Sequence, residues 1–204
     1  MAKLLQIESC PRLYSLAKVF LNVYKEMHPL DTIEVMNLWK IDVPPVIGEM
    51  LEAKYAESDS YEWTSENADA VQMIERYVEH FTSADKYLFT IPTWSLGVPY
   101  VLKEYIDVIT QSGLLFEFMP NGTVRGLVAD RPACILCAHG GCAGPGSGSD
   151  PMALQYSFMN SWLRFIGITQ IYSVIDEPAN ADMQLIRKVR KKAEKEAANI
   201  ANSF

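Results

Sequence analysis

Five short apolar segments alternate with amphipathic helical segments along this chain, and that alternation restricts its fold more than any other feature. The apolar segments run from Lys3 to Ile7, Ile33 to Leu38, Tyr87 to Ile91, Ala133 to Ala138 and Gln170 to Ile175. Nearly continuous apolar runs of this length predict strands buried on both faces, as in a parallel sheet covered by helices. Between them, Leu13, Leu16, Ala17, Phe20, Leu21 and Tyr24 recur at helical spacing, as do Val71, Ile74, Val78 and Phe81 after a cap at Thr64 or Ser65. A further helix is opened by Pro99 and carries Leu102, Tyr105, Ile106 and Ile109 on one face. Asp150-Pro151 reads as an N-cap followed by proline at the first helical position, and residues 180 to 203 read as a final helix. Residues 39 to 64 look irregular apart from a short amphipathic piece around Met50 to Tyr55. Phe116 to Val128, with Asn121-Gly122 at its turn, predicts a hairpin-like excursion. Five strand–helix units in 204 residues predict one domain over residues 1–204, a doubly wound α/β sheet in the order 2-1-3-4-5 with helices on both faces.

Composition narrows the function. The chain is 49% hydrophobic, enough for a substantial core, and its net charge is −7. That balance argues against a nucleic-acid protein, which needs clustered cations to neutralise phosphates. The densest basic run, Arg187 to Lys192, shares its helix with Glu194 and Glu196 and reads as a solvated face. No apolar run approaches the roughly 18 residues that span a membrane. The N-terminal residues run straight into a strand without a cleavage pattern, which predicts a cytoplasmic protein. Cys134, Cys137, His139 and Cys142 mimic a metal-ligand spacing. However, Cys134 and Cys137 lie three apart on a strand and so point to opposite faces, where they cannot converge on one ion. Buried reduced thiols and no metal are expected.

In a sheet of this order the ligand crevice lies beyond the carboxyl ends of strands 1 and 3. Three loops converge near it: residues 8 to 14, 92 to 98 and 139 to 149. The first opens a helix, so its amides suit an anion, with Ser9, Ser15 and Arg12 as added donors. It has no glycine-rich fingerprint, which weakens a dinucleotide-binding reading. The second loop sets Trp94 beside the polar groups of Thr93, Ser95 and Gly97, a mixture that suits a flat heterocycle. Among the tryptophans only Trp94 is placed at the crevice, and Trp39 is not. In the third loop Gly140 and Gly141 permit close backbone approach to a ligand, and His139 can donate to a carbonyl.

With these segments in view, the chain resembles the FMN-dependent NADH:quinone oxidoreductase and azoreductase family, which has a flavodoxin-like fold. The resemblance rests on Pro92-Thr-Trp-Ser-Leu-Gly-Val-Pro-Tyr-Val-Leu-Lys-Glu-Tyr-Ile-Asp107, Gly113-Leu-Leu-Phe-Glu-Phe118 and Asn121-Gly122. Gly126-Leu127, Gly140-Gly141 and Phe165-Ile-Gly-Ile-Thr169 complete it, in the shared order and spacing. It implies noncovalent FMN, a homodimer with the flavin near the subunit interface, and reduction by NADH or NADPH. A quinone, azo or related aromatic compound would then receive the electrons in a two-step exchange, with no protein nucleophile. Taken with the reading of the three loops, the expected cofactor-binding set is Ser9, Arg12, Ser15, Pro92, Thr93, Trp94, Ser95, Leu96, His139, Gly140 and Gly141.

The chain departs from the family's pattern where FMN binds. The first loop is about three residues short, so that Pro11 and Leu13 fall where the family has a Ser-x-Ser. Thr93, Ser95 and Leu96 replace a Met, Asn and Phe, and His139 precedes Gly140-Gly141 where the family has Arg. Two lost serine contacts would weaken phosphate binding by roughly 1–3 kcal/mol, part of which Arg12 can restore. These changes keep a second reading open: a non-catalytic or regulatory protein that binds a small molecule or nucleotide on the same scaffold.

Overall fold

The structure, a computed structural model, describes residues 1–10, 14–55, 68–92, 94–95, 97–138, 151–176 and 183–204. Seven strands and six helices follow in the chain order β1 (Lys3–Glu8), α1 (Tyr14–Met27), β2 (Thr32–Asn37), α2 (Glu49–Tyr55), α3 (Ala68–Thr82), β3 (Lys86–Pro92), α4 (Tyr100–Ile109), β4 (Phe116–Phe118), β5 (Val124–Gly126), β6 (Ala133–Ala138), α5 (Pro151–Phe165), β7 (Ile171–Asp176) and α6 (Met183–Ser203). Five of the strands form one parallel sheet, β2-β1-β3-β6-β7. Numbered within that sheet alone, this is the expected order 2-1-3-4-5. The excursion between α4 and β6 is a separate antiparallel pair, β4 with β5. Asn121 shapes its turn, the side-chain Oδ1 accepting from the Thr123 amide at 3.0 Å, with Gly122 at a φ of +80°.

Alternation along each strand sorts the core into two layers. Leu5 and Ile7, Tyr87, Phe89 and Ile91, and Ala133, Ile135 and Cys137 face α3, α4 and α5. Leu4, Leu88, Cys134 and Leu136 face α1 and α6. Helical spacing supplies the matching stripes: Ile74, Val78 and Phe81 on α3, Leu102, Tyr105, Ile106 and Ile109 on α4, and Leu16, Phe20 and Tyr24 on α1. On α6 the stripe is Ala193, Ala197 and Ala201, small residues at a spacing of four that let the helix lie close to the sheet.

Two prolines bound the loop between β3 and α4. β3 ends at Pro92, which still pairs with Ala138, and Pro99 takes the N-cap position of α4, one residue earlier than a first helical position. Its carbonyl accepts from the Leu102 and Lys103 amides at 3.0 and 3.1 Å. The expected caps at Thr64, Ser65 and Asp150 lie outside the described residues.

Candidate functional site at the carboxyl ends of β1 and β3

The crevice is built first from backbone. Beyond β1, Ser9 turns toward the neighbouring strand, and both its amide (3.1 Å) and its hydroxyl (2.9 Å) donate to the Thr90 carbonyl. Ser9 is fully buried. Its two donors therefore hold the start of the loop rather than face outward. Beyond β3, the Pro92 carbonyl accepts from Gln155 Nε2 on α5 at 3.0 Å, a buried contact that fixes the base of the aromatic loop. Gln155 has no motif around it in the sequence, and only the packing of α5 against the sheet brings it there.

The aromatic loop is a closed turn. The Trp94 and Gly97 amides donate to each other's carbonyls at 3.2 and 2.9 Å, so these two amides are used within the turn instead of facing a ligand. Ser95 sits at φ +49°, a left-handed conformation that costs a non-glycine residue roughly 1–2 kcal/mol. The turn pushes Trp94 outward, where 45% of its surface is exposed. Tyr100, the first residue of α4, is 68% exposed.

Trp39 belongs to the same surface, contrary to the expectation that Trp94 alone stands there. The Trp39 and Trp94 ring centroids are 5.4 Å apart, and those of Trp39 and Tyr100 are 5.6 Å apart and nearly perpendicular. The indole Nε1 of Trp39 donates to the Ser9 carbonyl at 3.0 Å. One signal for Trp39 was available in the sequence: it follows the second strand directly, and that strand's carboxyl end opens beside β1.

The expected residues divide as follows. Ser9, Pro92, Trp94 and Ser95 come together at this mouth. Ser15 lies in the first turn of α1, and only its backbone is described. Arg12, Thr93, Leu96, His139, Gly140 and Gly141 lie outside the described residues. The first turn of α1 holds no acidic residue, so nothing there opposes the positive end of the helix dipole.

Cys134 and Cys137 take no part in this surface. Cys137 packs in one core layer and Cys134 in the other, so their thiols stand on opposite faces of the sheet. Burial pushes the Cys137 thiol up to about 12 and raises that of Cys134 as well. Neither forms a thiolate near neutral pH, so neither is a nucleophile or a ready metal ligand. Among the described residues no group of His, Cys, Asp and Glu is arranged to hold a metal ion.

Comparison with known proteins agrees with this geometry. A family model described as flavodoxin-like fold matches residues 2–200. An FMN-dependent NADH:quinone oxidoreductase of Desulfotalea psychrophila is 36% identical, over 100% of this chain and 98% of its own length. The crystal structure of an azoreductase from Bacillus anthracis str. Sterne superposes with a TM-score of 0.88 at 31% identity, covering 100% of both chains. An FMN-dependent NADH-azoreductase from Bacillus anthracis str. Ames Ancestor, solved in complex with FMN, superposes with a TM-score of 0.81 at 25% identity, over 99% of this chain and 100% of that one. By sequence over nearly its whole length and by fold, the chain belongs to the flavodoxin-like family whose members include the FMN-dependent NADH:quinone oxidoreductases and azoreductases.

Proposed function

We propose that this chain, one domain over residues 1–204, is an FMN-dependent NAD(P)H oxidoreductase that reduces quinones, azo compounds or related aromatic molecules. The observation that carries this reading is the aromatic cluster at the carboxyl ends of β1 and β3, in which the exposed Trp94 and Tyr100 rest on the half-buried Trp39. It lies beside the start of α1, and the full-length relatives of this chain are FMN-dependent reductases by name. The residues present fit FMN. A flat ring finds an apolar face in Trp94, while a phosphate finds the N-terminus of α1, whose first turn has no acidic residue. Arg12 and Ser15 are assigned to the phosphate, and Ser9 to holding the loop that leads to it. Pro92, Thr93, Trp94, Ser95, Leu96, His139, Gly140 and Gly141 are assigned to the ring.

When bound, FMN supplies the two-electron chemistry, taking hydride from NADH or NADPH and passing reducing equivalents to the acceptor. The protein's own part is placement. The bonds from Ser9 to Thr90 and from Gln155 to Pro92 fix the bases of two loops. The two backbone bonds between Trp94 and Gly97 then close the turn that presents the Trp94 ring. No side chain needs to act as a nucleophile, which agrees with buried thiols that stay protonated.

A second copy of this chain is the proposed partner. Phe118 and Val124 on the β4–β5 hairpin expose 68% and 40% of their surfaces, apolar area that suits a subunit contact. The free thiols and the use of NAD(P)H suit a cytoplasmic setting.

The test is direct. The purified chain is mixed with FMN, and its visible spectrum and flavin fluorescence are recorded, followed by NADH oxidation with a quinone acceptor. Shifted absorbance, quenched emission and FMN-dependent turnover are expected. A chain that leaves the flavin spectrum unchanged at micromolar concentration defeats the proposal. A chain that binds FMN but supports no turnover with either nicotinamide donor restricts it to binding.

A further inference from the structure

Among the described residues, Trp39 touches both the segment that leaves β1 and the turn that leaves β3. Its backbone amide donates to Asn37 Oδ1 at 2.9 Å, and Asn37 Nδ2 donates to Glu8 Oε2 at 2.7 Å, so the residue is oriented from β2 and from the end of β1. Its indole Nε1 reaches the Ser9 carbonyl at 3.0 Å. Its ring lies 5.4 Å from Trp94, tilted by 51°, and 5.6 Å from Tyr100, at 88°. One half-buried side chain is therefore bonded to the segment that enters α1 and packed on the turn that leaves β3.

We propose that Trp39 is a positioning residue that sets the phosphate end of the flavin site against its ring end. The inference rests on the assignment of FMN to this mouth. Ser9 already commits its amide and hydroxyl to Thr90, and its carbonyl is the remaining polar group of that residue. The indole N–H holds that carbonyl. With the amide, hydroxyl and carbonyl of Ser9 all bonded, the carboxyl end of β1 is held in one orientation, on the side from which the chain runs on to α1. The ring of the same residue braces Trp94, and so the surface on which a flat heterocycle lies. The two duties use different atoms. The nitrogen governs the phosphate end, and the carbon skeleton governs the ring end.

Substitution can separate these duties. Trp39→Phe keeps an aromatic ring against Trp94 and Tyr100 but removes the donor to Ser9. Trp39→Ala removes both. FMN and riboflavin differ only in the phosphate, so titrating each by flavin fluorescence reads the two ends apart, with no dependence on turnover. For Trp39→Phe the affinity for FMN should fall about three- to tenfold, while that for riboflavin stays within about twofold of wild type. For Trp39→Ala both affinities should fall. The thermal midpoint of each variant is recorded alongside, and if the alanine variant does not fold, the phenylalanine variant decides alone. An FMN-selective loss in Trp39→Phe establishes the role. Unchanged FMN affinity, or equal losses for the two flavins, overturns it. A wild-type chain that binds neither flavin overturns the cofactor assignment and this inference together. A wild-type chain that binds FMN beside an unaffected Trp39→Phe overturns this inference alone.

Discussion

The two ends of the same parallel sheet are built from different chemistry. At the amino end, polar groups close on one another. Asp31 accepts from the Ala2 amide at 2.6 Å and the Tyr24 hydroxyl at 2.8 Å, with Lys86 Nζ at 3.4 Å. Asp85 accepts from the Lys3 amide at 2.7 Å, Lys3 pairs with Glu34 at 2.7 Å, and Arg131 donates to the carbonyls of Thr82 and Ala84. At the carboxyl end, the side chains that stand outward are aromatic, and the bonds beneath them run mostly to backbone carbonyls. In the first arrangement the charged groups pair with one another and with backbone. The second is held from underneath and, among the described residues, turns Trp94 and Tyr100 outward. Substitutions at the amino end should therefore read out in stability, and those at the carboxyl end in flavin affinity.

The largest effect is expected where the hairpin meets the end of α5, on the stability side of this division. A Cβ at Gly126 would stand 2.1 Å from the backbone of Ile166 and Gly167, and the Val128 amide donates to the Ile166 carbonyl beside it at 2.8 Å. Backbone atoms cannot step aside as a flexible side chain can. Gly126→Ala should cost about 3 kcal/mol or more, seen as a large drop in the urea midpoint or as insoluble protein. Near-wild-type stability would show that the hairpin is not packed there.

Asp31→Asn comes next and carries a pH signature. The Ala2 amide, and then the Tyr24 hydroxyl and Lys86, hold the Asp31 carboxyl down to about 2 against the opposing effect of burial. Because folding lowers this pKa, the stabilisation is fully present above the ordinary carboxylate value near 4 and is lost as the pH falls through about 2. At neutral pH the variant should be about 2 kcal/mol less stable, the scale of hydrogen bonds to a charged group. The gap between wild type and variant should close as urea unfolding is repeated from about pH 5 down to about pH 2. A gap that stays constant over that range would remove Asp31 from the stability network.

Across the sheet, Trp94→Ala should lower FMN affinity about tenfold while changing stability by no more than about 1 kcal/mol, since nearly half the side chain is already in water. Because Trp39 leans on Trp94, Trp39→Ala should lower affinity by a similar factor. A Trp94→Ala chain that loses stability but keeps its flavin affinity would reverse the assignment of the two ends.

The sequence made one side of this division far more legible than the other. Apolar runs such as Ala133 to Ala138 and stripes such as Leu102, Tyr105, Ile106 and Ile109 are local patterns, so strands, helices and sheet order could be read directly. The position of Trp94 could be read as well, because Pro92 and Pro99 frame its loop. Contacts between distant segments could not be read. Trp39 against Trp94, Gln155 under Pro92 and the Asp31 cluster each join residues that only the assembled sheet brings together. His80 is a further case. It ends α3 as a surface histidine would, yet its Nε2 lies 2.6 Å from Glu34 on β2. Local pattern specifies elements and their order, whereas polar partners are settled by packing.

Ser9 is where the division can be tested most finely, and the expected effect is the smallest. Its hydroxyl is at the functional end but is bonded inward, to the Thr90 carbonyl at 2.9 Å. Ser9→Ala should cost about 1 kcal/mol of stability, one buried neutral hydrogen bond, and change FMN affinity by no more than about twofold. The Ser9 amide still reaches Thr90, and Trp39 still holds the Ser9 carbonyl, so the loop keeps its direction. The opposite result, a tenfold loss of FMN affinity with stability unchanged, would mean that the hydroxyl leaves Thr90 for the phosphate when the flavin arrives. The carboxyl end would then be firm only when occupied, and part of its order would come from the ligand instead of the backbone bonds beneath it.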